Sequence, residues 1–325
     1  MSEPDTTPVP ALPRRDPAAH KGTSGTVLII GGSSGSGSPG ALRMIGAPAL
    51  AGRAAIRAGA GLVRIGAPEP ILDAILTDFN EATGVALACD PTGHLLAHEA
   101  ASALDAQLAQ TSCLVVGPGL GTGDAVQSLV LRCTGQTDTP LVLDADGLNA
   151  LASVVDYPTE IRASCVLTPH PGEYRRLAEP LGISLDPTND AQRPDACAEL
   201  ARRLGAVVVL KGKGSVVSDG LRAWVCDRGS PALATGGTGD VLSGVLGALI
   251  AQFVAPGPQA IGGVTLPRPA DKPLDLYDAA RASVRAHAVA GELWSAHHNA
   301  SAGLLATELA DLMPEAVESM RDQSR

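Results

Sequence analysis

The sequence predicts an α/β protein: a central, mostly parallel sheet flanked by helices on both faces, with a small antiparallel extension. Three observations predict it. Short continuous apolar runs recur along the chain, as in strands buried on both faces. Helix-length stretches separate them, the alternation expected of a parallel sheet. After Lys211 the spacing tightens into two short runs around Asp219-Gly220, a hairpin signal. No internal repeat and no dividing linker is present in the 325 residues. The expectation is therefore a single domain over 21–325, behind a flexible, Pro-rich arm over 1–20.

The elements follow in order. Thr26–Ile30 reads as the first strand and ends in a loop of almost nothing but Gly and Ser, Gly31 to Gly40. An Ala-rich helical run from Ala41 to Ala58 follows, in which Pro48 is expected to cause a kink or a break. Leu62–Ile65, Cys113–Val116, Leu141–Leu143, Cys165–Leu167 and Ala206–Leu210 are further buried strands. Leu95–Gln110 and Asp195–Leu204 are helices between them. Gly214–Ser218 and Leu221–Cys226 form the hairpin. Helices return at Val241–Phe253, Asp278–His297 and Leu304–Leu312, with a Pro- and Gly-rich loop over 255–273.

Composition narrows the function classes. The formal net charge is −10 and Lys occurs only at 21, 211, 213 and 272, which argues against nucleic acid or an anionic membrane as partner. Hydrophobic residues make up 45% and aromatic ones 2%, so the core is built from Ala, Val, Leu and Ile. Six Cys are scattered without CxxC pairs or a His at metal spacing, which argues against a disulfide framework or a zinc site. The N-terminus has no apolar h-region, and no apolar run is long enough for a span. A cytoplasmic location is expected.

The most informative motif is Ala234-Thr-Gly-Gly-Thr-Gly-Asp240, a glycine loop running into an apolar helix with one acid on the seam. Free amides at a helix start, together with the helix dipole, favour an anion. Gly237, Thr238 and Gly239 form the candidate anion hole. Beside a phosphate a carboxylate would be repelled, so Asp240 reads better as a base that takes a proton from a substrate hydroxyl. The plainer alternative is an Asp that merely sits in the first helical turn.

Other motifs lie where strands end, the side of an open parallel sheet on which ligands bind. Gly117-Pro-Gly-Leu-Gly121 makes room for a substrate. Leu143-Asp-Ala-Asp146 puts two acids on one face if the strand continues; they orient a metal, a water or a basic residue, or simply cap a turn. His170, boxed between Pro169 and Pro171, is a stiffly held candidate ligand-binding residue. Lys211-Gly-Lys-Gly-Ser215 suits the phosphates or adenine edge of a nucleotide, although it lacks the order of a Walker loop. Gly35-Ser-Gly-Ser-Pro-Gly40 formally matches a dinucleotide fingerprint. No acid ends the second strand, however, so a loop over a substrate phosphate, or a merely flexible one, fits equally well.

Together with His20-Lys-Gly22 and Ala58-Gly-Ala-Gly-Leu62, these motifs resemble, in order and over nearly the whole chain, the NAD(P)H-hydrate dehydratases of the ribokinase superfamily. That resemblance implies a ribokinase-like fold and a repair reaction. Hydrated NADH or NADPH is phosphorylated on the ring hydroxyl by ADP or ATP and then loses phosphate, with Mg2+ as the expected cation. It implies Asp240 as catalytic base and Ala41, Gly119, His170 and Asp240 as substrate contacts. It also implies Lys211, Gly212, Lys213, Gly214, Ser215 and Gly239 as nucleotide contacts. Metal ligands are not identifiable in the sequence. Many bacterial relatives carry an epimerase domain ahead of this one; here the expected arrangement is a homo-oligomer cooperating with a separate epimerase. The competing readings are a vitamin-precursor or sugar kinase of the same superfamily and a non-catalytic nucleotide sensor.

Overall fold

The computed structural model describes residues 5–35, 42–257 and 272–321. Among these residues nine strands form one sheet: β1 (Thr26–Ile30), β2 (Leu62–Pro68), β3 (Thr83–Leu87), β4 (Cys113–Val116), β5 (Leu141–Leu143), β6 (Cys165–Leu167), β7 (Val207–Leu210), β8 (Val216–Ser218) and β9 (Ala223–Val225). Their order is β3-β2-β1-β4-β5-β6-β7-β8-β9. β3 through β7 run parallel, and β7–β8–β9 is antiparallel, the expected extension. Between β1 and β4 the order reverses, so this sheet has its crevice at the carboxyl ends of those two strands.

Among the described residues eleven α-helices cover the sheet: α1 (Gly46–Arg57), α2 (Glu69–Asp78), α3 (Ala97–Leu108), α4 (Asp124–Gly135), α5 (Asp146–Ala152), α6 (Pro171–Ala178), α7 (Arg193–Leu204), α8 (Thr238–Phe253), α9 (Leu276–His298), α10 (Ala306–Asp311) and α11 (Met313–Glu318). The two-residue period of the strands divides the core. Val27, Ile29, Val115 and Val142 point to the face covered by α1, α8 and α9. Leu28, Ile30, Leu114 and Leu141 point to the face covered by α3 to α7. Helix α8 is buried all round from Val241 to Phe253, which explains why its sequence shows no polar stripe.

Three expectations need correction. Pro48 neither kinks nor splits α1. The helix starts only at Gly46, so Pro48 falls in its first turn, where the missing N–H has no intrahelical partner to lose. The arm, over its described residues 5–20, is fastened to the body. Leu12 is fully buried and its N–H bonds the Met320 carbonyl, while Asp5 pairs with Arg281 and accepts from the Tyr277 hydroxyl. β3 was not foreseen: it is an edge strand with a mostly exposed Thr-Gly-Val-Ala-Leu sequence, poor in strand formers. Most of the 255–273 loop, like Ala41 and the second half of the Gly31–Gly40 loop, lies outside the described residues.

The cysteines are free, five of them buried, and burial pushes the thiols of Cys133, Cys165 and Cys197 up to about 12. They act as small hydrophobes. Among the described residues no helix is long and apolar enough to cross a membrane.

Candidate active site

The carboxyl ends of β4, β5, β6 and β7 bring the candidate residues to one rim, facing the start of α8. Gly117 follows β4 with φ 122°. A Cβ there would stand 1.8 Å from the Asp144 carbonyl oxygen, so only glycine lets the β4 and β5 ends come this close. Beyond it, a Cβ on Gly119 would lie 2.9 Å from Met44 Cβ, which places Gly119 against the entry to α1.

β5 ends at Leu143, and the chain breaks from strand geometry at Ala145, φ 48°. Asp144 and Asp146 therefore part company rather than sharing a face. Asp146 starts α5 and accepts the Gly121 N–H at 2.8 Å, a turn-bracing role. Asp144 is 1% exposed and is the hub of the site. It accepts from Thr168 Oγ1 at 2.6 Å, Lys211 Nζ at 2.7 Å and Ser243 Oγ at 2.5 Å, which joins the ends of β5, β6 and β7 to α8. Burial alone would raise its pKa, but the Lys211 charge and these hydrogen bonds hold it below the usual carboxylate range.

Lys211 comes straight off β7. Burial works against its charge, yet Asp144 at 2.7 Å and Glu173 at 3.9 Å keep its pKa above the ordinary lysine value. Its ammonium reaches the start of α8: a Cβ on Gly239 would lie 3.7 Å from Nζ. Lys213, by contrast, is exposed. Gly212, Gly214 and Ser215 complete the loop, with Ser215 Oγ donating to the Gly212 carbonyl. One loop-holding residue was missed from sequence. Arg193 on α7 is 5% exposed and donates to the carbonyls of Pro187, Leu210 and Gly214. An Arg at the first turn of an amphipathic helix carries no sequence signal for that task.

His170 caps α6. Its Nδ1 accepts the Gly172 N–H at 2.9 Å, and Glu173 closes a capping box by accepting the His170 N–H at 2.8 Å. The ring remains half exposed and faces solvent at the rim. Glu173 is 5% exposed; burial raises its carboxyl above the ordinary range, with Lys211 opposing.

Of Gly236, Gly237 and Gly239 in the glycine loop, only Gly237 uses left-handed backbone, at φ 90°. It is the N-cap, and Thr238, Gly239 and Asp240 form the first turn. Thr238 Oγ1 donates to the carbonyls of Leu233 and Thr235, anchoring the turn. Gly239 and Asp240 N–H groups precede the first helical bond, which Val241 N–H makes to the Gly237 carbonyl. Burial pushes the Asp240 carboxyl up to about 7, with Asp144 and Asp146 adding to the rise and Lys211 opposing it. Among the described residues none hydrogen-bonds that carboxyl. The arrangement presents an unengaged base, an ammonium and free amides at a single point, which suits proton removal beside a phosphoryl group.

A model of the NAD(P)H-hydrate dehydratase family matches residues 27–315. The chain belongs to that family. A bifunctional NAD(P)H-hydrate repair enzyme of Coxiella burnetii is 39% identical over 306 residues, covering 92% of this chain and 52% of the relative. The chain thus spans about half the length of such curated relatives. An ADP-dependent (S)-NAD(P)H-hydrate dehydratase of Bacillus subtilis is 34% identical, covering 93% of this chain and 92% of the relative. The crystal structure of a Bacillus subtilis dehydratase grown with ATP and Mg2+ superposes with TM-score 0.71 at 30% identity, covering 96% of this chain and 95% of that one. The ribokinase-like fold expected from the resemblance is the fold observed. As a dehydratase-family chain it presents Asp240, Lys211 and the α8 start together. Gly119 lies in the loop after β4, and His170 in the turn between β6 and α6.

Proposed function

We propose that this chain dehydrates the S epimer of hydrated NADH or NADPH, with ADP or ATP as phosphoryl donor. The observation that carries the reading is Asp240. It is a half-buried, unengaged acid on the first turn of α8, with a carboxyl pushed to about 7 beside the Lys211 ammonium. Support for the substrate comes from the family match and from the name of the Bacillus subtilis relative.

In this reading Asp240 removes the proton from the ring hydroxyl as its oxygen attacks the terminal phosphorus of the nucleotide, and the bond from that phosphorus to the nucleotide's bridging oxygen breaks. The Gly237 and Gly239 amides and Lys211 Nζ take the charge on the transferring phosphoryl group, while the Thr238 N–H is held by the Thr235 carbonyl. Loss of phosphate together with a neighbouring ring proton then restores the double bond. Lys211 to Ser215 and Gly239 hold the nucleotide; Ala41, Gly119 and His170 contact the hydrated cofactor. Among the described residues no three His, Cys, Asp or Glu side chains converge as a metal site. Mg2+, if carried by the nucleotide, would supply neutralisation of phosphoryl charge at this site. Because only one epimer is consumed, an epimerase activity complements the reaction.

The test is recovery of the near-ultraviolet dihydronicotinamide absorbance from prepared NADHX, with protein, Mg2+ and either ADP, ATP or no nucleotide. Recovery that requires a nucleotide is the expected result and identifies the donor. Folded protein that restores no absorbance with either nucleotide would overturn the reading in favour of a small-molecule kinase.

A further inference from the structure

Against the α8 turn stands a histidine that the reaction as described does not use. His287 lies mid-way along α9, the helix packed across α8, and its Nε2 is 2.9 Å from the Thr238 carbonyl oxygen. Thr238 is the first residue of α8, and its carbonyl belongs to the same peptide unit as the Gly239 N–H. A carbonyl only accepts, so this contact puts the imidazole proton on Nε2.

Peptide groups in series polarise one another: a donor on the carbonyl oxygen strengthens the N–H on the other side of the same bond. We propose that His287 is a positioning residue for the reaction. Its Nε2–H, held on the Thr238 carbonyl, strengthens and aims the Gly239 N–H as a donor to the transferring phosphoryl group. The inference rests on the reading of Gly237–Gly239 as the phosphoryl site.

The surroundings suit the role. Burial pushes the imidazole down to about 4, and the Lys211 charge adds to the fall, so the ring is neutral at neutral pH and offers one N–H. A neutral donor is apt here, since a permanent imidazolium would draw on the same carboxylates that hold Lys211. Helix α9 has good reason to hold the ring still: Ala286, Ala288 and Ala290 around it are buried in the core. Thr238 Oγ1 anchors the same turn to Leu233 and Thr235, so the polarised peptide cannot simply rotate away.

The experiment compares His287→Leu, His287→Gln and Asp240→Asn in the NADHX recovery assay, with melting curves for each. The Leu variant removes the N–H and should lower kcat about tenfold, less than the roughly 10²–10³ typical when a whole donor is lost. KM for NADHX should stay within about twofold, because the substrate is not touched. The Gln variant can donate an N–H and should recover most of kcat. ¹⁵N-histidine spectra of the unaltered protein, assigned by the signal missing from His287→Gln, should show the Nε2–H tautomer; this reading stands even if the Leu variant fails to fold. The proposal falls if His287→Leu keeps full kcat while Asp240→Asn is inactive, if Gln falls as far as Leu, or if the ring is the Nδ1–H tautomer. An active Asp240→Asn would instead remove the site reading on which it rests.

Discussion

In the proposed reaction the base Asp240 costs the fold stability, and that trade can be measured. Its carboxyl rises from 3.8 to about 7 on folding, so the folded state holds a proton that the unfolded chain releases. The sign follows: its contribution is fully present below pH 3.8 and is lost as pH rises through about 7. Asp240→Asn should therefore be more stable than the parent at pH 8, by up to a few kcal/mol, and the gap should close towards pH 4. Turnover should move the other way, falling by roughly 10²–10⁴, the usual worth of a general base. For the parent, kcat/KM should climb with pH along a limb near 7, because only the ionised carboxyl accepts a proton. Activity retained in the Asn variant, or a flat profile through that range, would remove Asp240 from the mechanism. Lys211 and Asp144 are tied more tightly. Lys211→Met leaves a buried, uncompensated carboxylate and should cost roughly 3–5 kcal/mol in chemical denaturation, and adding Asp144→Asn should recover part of it.

At the scale of elements, two helix starts carry the site and each has a specific vulnerability. Gly237 takes φ 90° at the N-cap of α8, and a Cβ there would meet Ala306 Cβ at 2.8 Å and Leu50 Cδ1 at 2.9 Å. Gly237→Ala should lose roughly 1–3 kcal/mol from backbone strain alone, with more from the clash, and lower kcat because the amides shift. His170→Ala removes the cap of α6 and should cost about 1 kcal/mol in melting. If His170 also contacts the hydrated cofactor, KM for NADHX rises as well; a variant with the melting loss and an unchanged KM would reduce His170 to a cap. Sequence reading was strong for these elements. β1, β4, β5 and β6 have the bounds their apolar runs indicated, because a strand buried on both faces must be apolar throughout. It was weak for β3, α2, α4 and α5. Edge strands and surface helices satisfy themselves with weak local preferences that many sequences share.

For the whole molecule, the described part of the arm is a strap. Leu12 fills the core beside the chain's last described residues. Asp5 and Thr7 bond Arg281, whose guanidinium and that of Arg222 lie 4.9 and 4.0 Å from the Tyr277 ring centre. Deleting residues 1–12 should lower the melting temperature by several degrees, since burial of one Leu is worth roughly 1.5–3 kcal/mol and Arg281 loses partners as well. An unchanged melting point would show the strap to be ornamental.

The sequence by itself determined the parallel sheet, its antiparallel end, the rim on which the site lies, and the motifs that mark Asp240, Lys211 and the glycine loop. Those are local properties: apolar runs, turn residues and short spacings that the chain carries wherever it folds. Only the tertiary structure decided that Asp144 would be a buried hub while Asp146 turned away, that Lys211 and not Lys213 would face the α8 start, and that Arg193 and His287 would serve the site. Each of these depends on residues far apart in the chain meeting across the sheet. A side chain's charge state and direction are set there by burial and by partners that no short stretch of sequence contains.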